Sequence, residues 1–147
     1  MTYLLDVNVL LAILDPGHVA HDSAQTWFQT TQPAWATCPI TQNGALRILS
    51  GSTYRSAGGA PRFTPAEVVA SLSHMVTVRG HVFWADDLSL LDSDLVDASA
   101  ITSSQQVTDT YLLALAVSKN AKLATFDRRL SPRAVRNGAQ ALVQLGA

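Results

Sequence analysis

Short apolar runs that stop at an acidic residue constrain this chain more than any other feature. Tyr3-Leu4-Leu5 is closed by Asp6, Val82-Phe83-Trp84 stops before Asp86-Asp87, and Lys122-Leu123-Ala124-Thr125-Phe126 is closed by Asp127. Ala34-Trp35-Ala36-Thr37-Cys38, closed by Pro39, and Ala141 to Leu145 are two further short runs. Continuous apolar runs this short read as strands buried on both faces, the habit of parallel sheets.

Helical spacing fills the intervals. Between His18 and Gln29, Val19, Ala20, Ala24, Trp27 and Phe28 fall on one face, and Gln32-Pro33 breaks that helix. Ile40, Leu46, Ile48 and Leu49 predict a helix reaching Leu49, whereas Val9 to Leu14 is ambiguous between helix and strand. Asp15-Pro16-Gly17 reads as a turn, and the Gly-, Ser- and Arg-rich stretch from Gly51 to Phe63 as a loop. Thr64, with Glu67 three residues on, forms a capping box, and Pro65 takes the first helical position of a helix running to about Val76. Asp94 with Asp97 suggests another cap, with Ala98 and Ile101 facing inward. Thr108 is expected to cap a helix over Asp109 to Ser118, ended by Asn120. Strands alternating with helices imply an α/β domain whose central, mostly parallel, five-stranded sheet is covered on both sides. With no repeat and no linker, residues 1–147 are expected to form one domain.

Composition narrows the function classes. The chain has 147 residues, 48% hydrophobic and 14% charged, which suits a core of its own and excludes intrinsic disorder. Its apolar runs are too short to span a membrane. Met1 opens onto a core-like run without a basic leader, so no signal peptide is expected. Cys38 is alone, which removes disulfide frameworks and cysteine zinc sites and leaves a reducing cytoplasm as the expected setting. A net charge of -1 does not advertise nucleic-acid binding. Ten of the eleven acids are Asp, a poor helix former but a good cap, turn former and metal ligand.

Three of those Asp residues converge in a parallel sheet. Asp6 and Asp127 end strands and therefore lie at one edge, where ligands bind in such sheets. Asp109 opens a helix that leads into the fourth strand, so its helix start lies at the same edge. Adjacent carboxylates repel, and a divalent cation relieves that repulsion. Open oxygen-ligand sites suit Mg²⁺ or Mn²⁺, and the chemistry implied is phosphodiester hydrolysis by metal-bound hydroxide. Taken singly, each of the three also fits a cap or a turn. Asp86, Asp87, Asp92 and Asp94 read as turns and caps. Glu67 is accounted for by its capping box. His18 and His21 lack a third ligand, and Cys38 reads as a small buried residue.

The same residues resemble the motifs of PIN-domain ribonucleases, in particular the VapC-type toxins of toxin–antitoxin systems. Leu4-Leu5-Asp6-Val7-Asn8-Val9-Leu10-Leu11-Ala12 resembles their opening motif, and the segment from Cys38 to Leu49 their second. Thr108 to Ala116 resembles the third, and Leu123-Ala124-Thr125-Phe126-Asp127-Arg128-Arg129 the fourth. Phe83-Trp84-Ala85-Asp86-Asp87 resembles a strand segment of one branch. The resemblance covers nearly the whole chain in the right order. It implies a three-layer α/β/α PIN-like fold and an Mg²⁺-dependent endoribonuclease, with Mn²⁺ as a possible substitute. Asp6, Asp109 and Asp127 are then the metal-binding acids. Asn8 orients Asp6 or contacts phosphate, Thr125 supports the pocket, and Arg47, Arg128 and Arg129 contact the RNA backbone. It also implies an RNA substrate such as tRNA or rRNA, a cognate antitoxin that covers the pocket, and a homodimer.

Gln42 departs from that pattern, because the second motif usually carries Glu there. Gln keeps the shape and one acceptor oxygen but loses the charge. Reduced activity is therefore expected, and a non-catalytic domain that binds RNA or protein is the alternative. A haloacid-dehalogenase-type phosphatase is a third class, but it wants Asp-x-Asp after the first strand, and here Asn8 takes the second place. A phospho-acceptor domain wants a paired acid before that strand and a late Lys, neither of which stands out.

Overall fold

The structure, a computed structural model, describes residues 1–55 and 63–146. Part of the loop expected between Gly51 and Phe63, residues 56–62, lies outside the described residues.

Alternation within each strand sorts the core into two layers. In β1 (Thr2–Leu5), Leu4 faces one side of the sheet and Leu5 the other; in β2 (Ala34–Thr37), Ala36 and Trp35 divide likewise. In β4 (Lys122–Thr125) the pair is Leu123 and Ala124. Leu4, Ala36 and Leu123 pack with Leu112, Leu113 and Leu115 of α5 (Val107–Ser118). Leu5, Trp35 and Ala124 pack with Val9 and Leu10 of α1 (Val7–Leu14), and with Leu49, Val68 and Leu72 of two further helices. Those are α3 (Pro39–Leu49) and α4 (Pro65–Met75). Burying apolar side chains on both faces is what lets a parallel sheet dispense with a solvent face.

β3 (His81–Phe83) and β5 (Leu142–Gln144) complete a five-stranded, all-parallel sheet of order β3-β2-β1-β4-β5. The chain builds outward from β1 to β3, then returns to place β4 on the other side of β1. The reversal puts the topological switch point between β1 and β4, beyond whose carboxyl ends ligands bind in open α/β sheets.

Local chemistry explains most boundaries. The ambiguous run after β1 is helical because Asp6 takes the N-cap, its side chain accepting from the Val7 amide at 2.7 Å. α2 (His21–Thr31) starts three residues later than its spacing suggested, since His18 holds a turn by accepting the Ala20 amide on Nδ1 at 3.0 Å. Gln32, in the left-handed region at φ 44°, ends it. Pro39 does not merely close β2; it opens α3 at the first helical position. Thr64 and Glu67 form the expected capping box, with bonds of 3.1 and 2.9 Å.

Three expectations fail. No α-helix follows Asp94: Asp92 accepts the Asp94 amide in a tight turn at 2.9 Å, and Asp97 caps only the single 3₁₀ turn Ala98–Ala100. Ala98 is exposed there rather than turned inward. Side chains that bond their own backbone compete with helix in this way. Thr108 is not the cap of α5, which begins one residue earlier at Val107 with Gln106 at the N-cap. A short helix, α6 (Gly138–Ala141), precedes β5 where strand alone was expected.

Candidate active site

The switch point gathers the acids. Asp6 follows β1, its amide donating to the Ala124 carbonyl of the neighbouring β4 at 3.0 Å. Asp127 lies two residues beyond the end of β4, and Asp109 sits in the first turn of α5. The carboxyl of Asp109 is pushed up to about 6, first by burial and then by the charges of Asp6 and Asp127. Burial also raises the Asp6 carboxyl, with a further push from Asp127. All three carboxylates therefore share one field.

Thr125, fully buried at the end of β4, holds the Asp6 carboxylate and the Asp127 backbone in place. Its hydroxyl donates to Asp6 Oδ2 at 2.7 Å and accepts from Asn8 Nδ2 at 3.1 Å and from the Asp127 amide at 3.0 Å. One donor and two acceptors are all that a hydroxyl offers. Asn8 is locked from its other end, because its Oδ1 accepts the Phe126 amide at 3.1 Å. That bond fixes which end of the amide is nitrogen and turns Nδ2 toward Thr125 and Asp6 Oδ2, the latter at 3.4 Å. The local order of β1, α1 and β4 thus sets Asp6 before any ligand arrives.

The three acids differ in what remains free. Asp6 spends both oxygens on protein donors. Asp127 Oδ1 accepts the Arg129 amide at 2.8 Å, and Oδ2 accepts no protein hydrogen bond among the described residues. Asp109 accepts no protein hydrogen bond among the described residues, although it is half-buried. An unpaired, desolvated carboxylate beside two others is the electrostatic demand that a cation meets. Among the described residues no group of three or more His, Cys, Asp and Glu side chains is gathered tightly enough to hold a metal ion by itself. The donor set therefore fits a hydrated cation held by one or two carboxylates, the habit of Mg²⁺, and does not fit a dehydrated cage.

A cleft of about 460 Å³ opens beside the acids, lined by Asp109 and Asp127 together with Gln106, Arg129, Leu130 and Ser131. Arg129 is exposed at this rim, and Arg128 is exposed beside it in the chain. Arg47 is exposed in the last turn of α3, the end of that helix remote from the carboxyl edge.

Gln42 turns elsewhere. Its Nε2 donates to Thr37 Oγ1 at 2.9 Å, and Thr37 pairs with His81 Nε2 at 2.8 Å. Burial holds the His81 imidazole below its ordinary range and favours the neutral ring, either tautomer of which can pair with Thr37. Gln42 also lines a groove against Leu72 and Val76, distinct from the acidic cleft, and no hydrogen bond joins it to Asp6, Asp109 or Asp127 among the described residues.

Sequence reasoning passed over two contributors. Gly44 of α3 lies so close to α1 that a Cβ there would stand 2.7 Å from Val7 Cγ2. A glycine inside a helical pattern is the signal for such an approach. Gln106 and the serines of the cleft carry no periodic signal, because they come from irregular segments.

Comparison with known proteins agrees with this geometry. The profile of the PIN-domain family matches residues 3–135. Ribonuclease VapC44 of Mycobacterium tuberculosis is 43% identical over 136 residues, 92% of either chain. Ribonuclease VapC39 of the same organism is 42% identical over 135 residues, 91% of this chain and 94% of that one. The crystal structure of Mycobacterium tuberculosis VapC20, described as a sarcin-ricin loop cleaving toxin, superposes with a TM-score of 0.61. That match covers 91% of this chain and 96% of the other at 12% identity, a likeness of fold. The chain belongs to the PIN-domain family, and these relatives place it in the VapC branch. The three-layer α/β/α architecture expected from the motifs is the one observed.

Proposed function

We propose that this protein is a divalent-metal-dependent endoribonuclease and the toxic member of a toxin–antitoxin pair. One observation carries the reading: Asp109, unpaired and raised to about 6 by burial and by Asp6 and Asp127, lies at the switch point of a parallel sheet beside an open cleft. The two curated relatives described above, named ribonucleases, support the same activity.

In this reading Asp109 and the free Oδ2 of Asp127 are the principal oxygens toward Mg²⁺ or Mn²⁺, with Asp6 as the oriented third acid. A divalent cation held by these residues would lower the pKa of its water and would supply charge to stabilise phosphoryl oxygens. Thr125 and Asn8 are positioning residues, which hold Asp6 through the bonds of 2.7 and 3.4 Å. Asp109, with its raised affinity for protons, is the carboxylate best suited to hold a proton when the metal is absent. Arg129 stands at the rim and Arg128 is exposed next to it in the chain, and their charge attracts the phosphates that the acids repel. Arg47, farther along α3, belongs to an extended RNA path. The substrate class is RNA, with tRNA and rRNA the candidates. Residues 1–147 act as one domain, working in the cytoplasm as a homodimer held in check by an antitoxin.

A second reading has its own observation. Among the described residues no fourth acid lines the cleft, and the amide of Gln42 is committed to Thr37. A domain that binds RNA without cutting it would follow if three acids hold the metal too weakly. Incubation of the antitoxin-free, folded protein with tRNA and rRNA in Mg²⁺ separates the two. Discrete fragments support the nuclease, whereas retained but intact RNA supports the binding module.

A further inference from the structure

The three acids do not stand on equal footing. Asp109 rides in the first turn of α5, and Asp6 is the N-cap of α1, held by Thr125. Of the three, only Asp127 sits in irregular chain, beyond the end of β4. A loop places a functional side chain less precisely than a helix or strand does, unless something outside the loop braces it.

The turn from Asp127 to Leu130 supplies part of that support. The Asp127 amide donates to Thr125 Oγ1 at 3.0 Å, and its Oδ1 accepts the Arg129 amide at 2.8 Å. Its carbonyl closes the turn with a long bond, accepting the Leu130 amide at 3.5 Å. All of these partners lie between residues 125 and 130. Among the described residues one contact comes from elsewhere: Gln144 Nε2 donates to the same carbonyl at 3.2 Å. A carbonyl can only accept, so the donor end of the Gln144 side chain is the end turned toward Asp127. Gln144 is the last residue of β5 and lies in register with Thr125. The next residue fastens that strand end, because the buried Leu145 donates its amide to the Thr125 carbonyl at 2.7 Å. The Gln144 bond therefore ties the turn to the sheet.

We infer that Gln144 is a positioning residue for Asp127, bracing the turn that carries this carboxylate into the acidic cleft. The inference rests on the nuclease reading for the ion that the carboxylate would hold. Without the bond the turn samples other arrangements, and a cation has to select the competent one. Apparent affinity then falls in proportion to the population of that arrangement. Loss of one hydrogen bond lowers that population by roughly threefold to tenfold.

Gln144→Met keeps the length of an exposed side chain and removes its donor. In the folded, RNA-free protein, Mn²⁺ titrated by electron paramagnetic resonance should bind roughly three- to tenfold more weakly. The Mn²⁺ needed for half-maximal RNA cleavage should rise by more than the maximal rate falls, a split that a general loss of stability would not give. Without metal, amide exchange followed by NMR should quicken at Asp127 and Arg129 and stay unchanged at Leu113 of α5. Gln144→Lys, which still offers a donor, should keep the slow exchange. Unchanged Mn²⁺ affinity in Gln144→Met, or exchange that quickens equally at Leu113 or not at all, overturns the inference. If the unmodified protein binds no Mn²⁺, the metal-dependent nuclease reading fails instead, and exchange at Asp127 and Arg129 still decides whether Gln144 holds the turn.

Discussion

The Thr125 hydroxyl donates to Asp6 Oδ2 at 2.7 Å across adjacent parallel strands, and it is the contact that most counters the effect of burial on that carboxylate. Thr125→Val removes the donor without emptying the space. The Asp6 carboxyl then rises further, and the Asn8 and Asp127 bonds to the same oxygen are lost. The variant should lose about 1–3 kcal/mol of stability in urea unfolding. The acid limb of its pH–rate profile should move to higher pH, while Thr125→Ser keeps both near the parent values.

Asp109 should make the metal-free protein less stable at neutral pH. Its folded carboxyl titrates at about 6 against an ordinary value of 3.8, so between those values the folded state binds more protons than the unfolded. Stability therefore falls as pH rises through that window. Asp109→Asn should raise the melting temperature at pH 7.5 by about 2–4 °C, on the order of 1 kcal/mol once solvent screening is allowed for. The gain should vanish near pH 4. Mg²⁺ should stabilise the parent protein and leave the variant nearly unchanged, which calorimetric scans with and without the ion would read.

Gly44→Ala sets two effects against each other. Alanine favours the helix by roughly 1 kcal/mol, but its Cβ would sit 2.7 Å from a methyl of Val7, and overpacking of this kind costs about 1–3 kcal/mol. The clash should win. Because the Val7 amide donates to Asp6 Oδ1, cleavage should fall along with stability. Val7→Ala in the same chain should recover part of both, and a double-mutant cycle measures the coupling.

Gln42→Glu replaces the donor to Thr37 with an acceptor. Thr37 must then turn its proton toward Glu, and His81 must present a proton on Nε2. The His81 imidazole should titrate at higher pH, visible by NMR. Cleavage should stay within roughly threefold of the parent rate, since the new charge points along the Thr37–His81 chain, and the loss of stability should be about 1 kcal/mol.

Much of this arrangement was legible from short-range chemistry. The acids at the ends of β1 and β4 could be placed because an apolar run that stops at Asp defines a strand end, and parallel strands end at one edge. The Thr64–Glu67 box could be read because both halves lie within four residues. Asp109 was placed on the right turn of the right helix, although the cap belongs to Gln106. The helix expected after Asp94 failed because Asp92 and Asp97 bond their own backbone neighbours more favourably than a helix lacking a continuous apolar face could repay. The direction of the Gln42 amide was not legible. It depends on Thr37 and on His81, 39 residues away in sequence, and no local pattern reports which partner a glutamine chooses.

The central claim is that the acids at the β1–β4 switch point hold a divalent cation that cuts RNA. It is tested most directly by incubating tRNA and rRNA with the folded protein in Mg²⁺, in Mn²⁺ and in excess chelator, beside folded Asp6→Ala. The account predicts fragments with either metal, none with chelator, and a rate lower by about a hundredfold or more in the variant. Intact RNA in both metals, or cutting that persists in Asp6→Ala and in chelator, would contradict it.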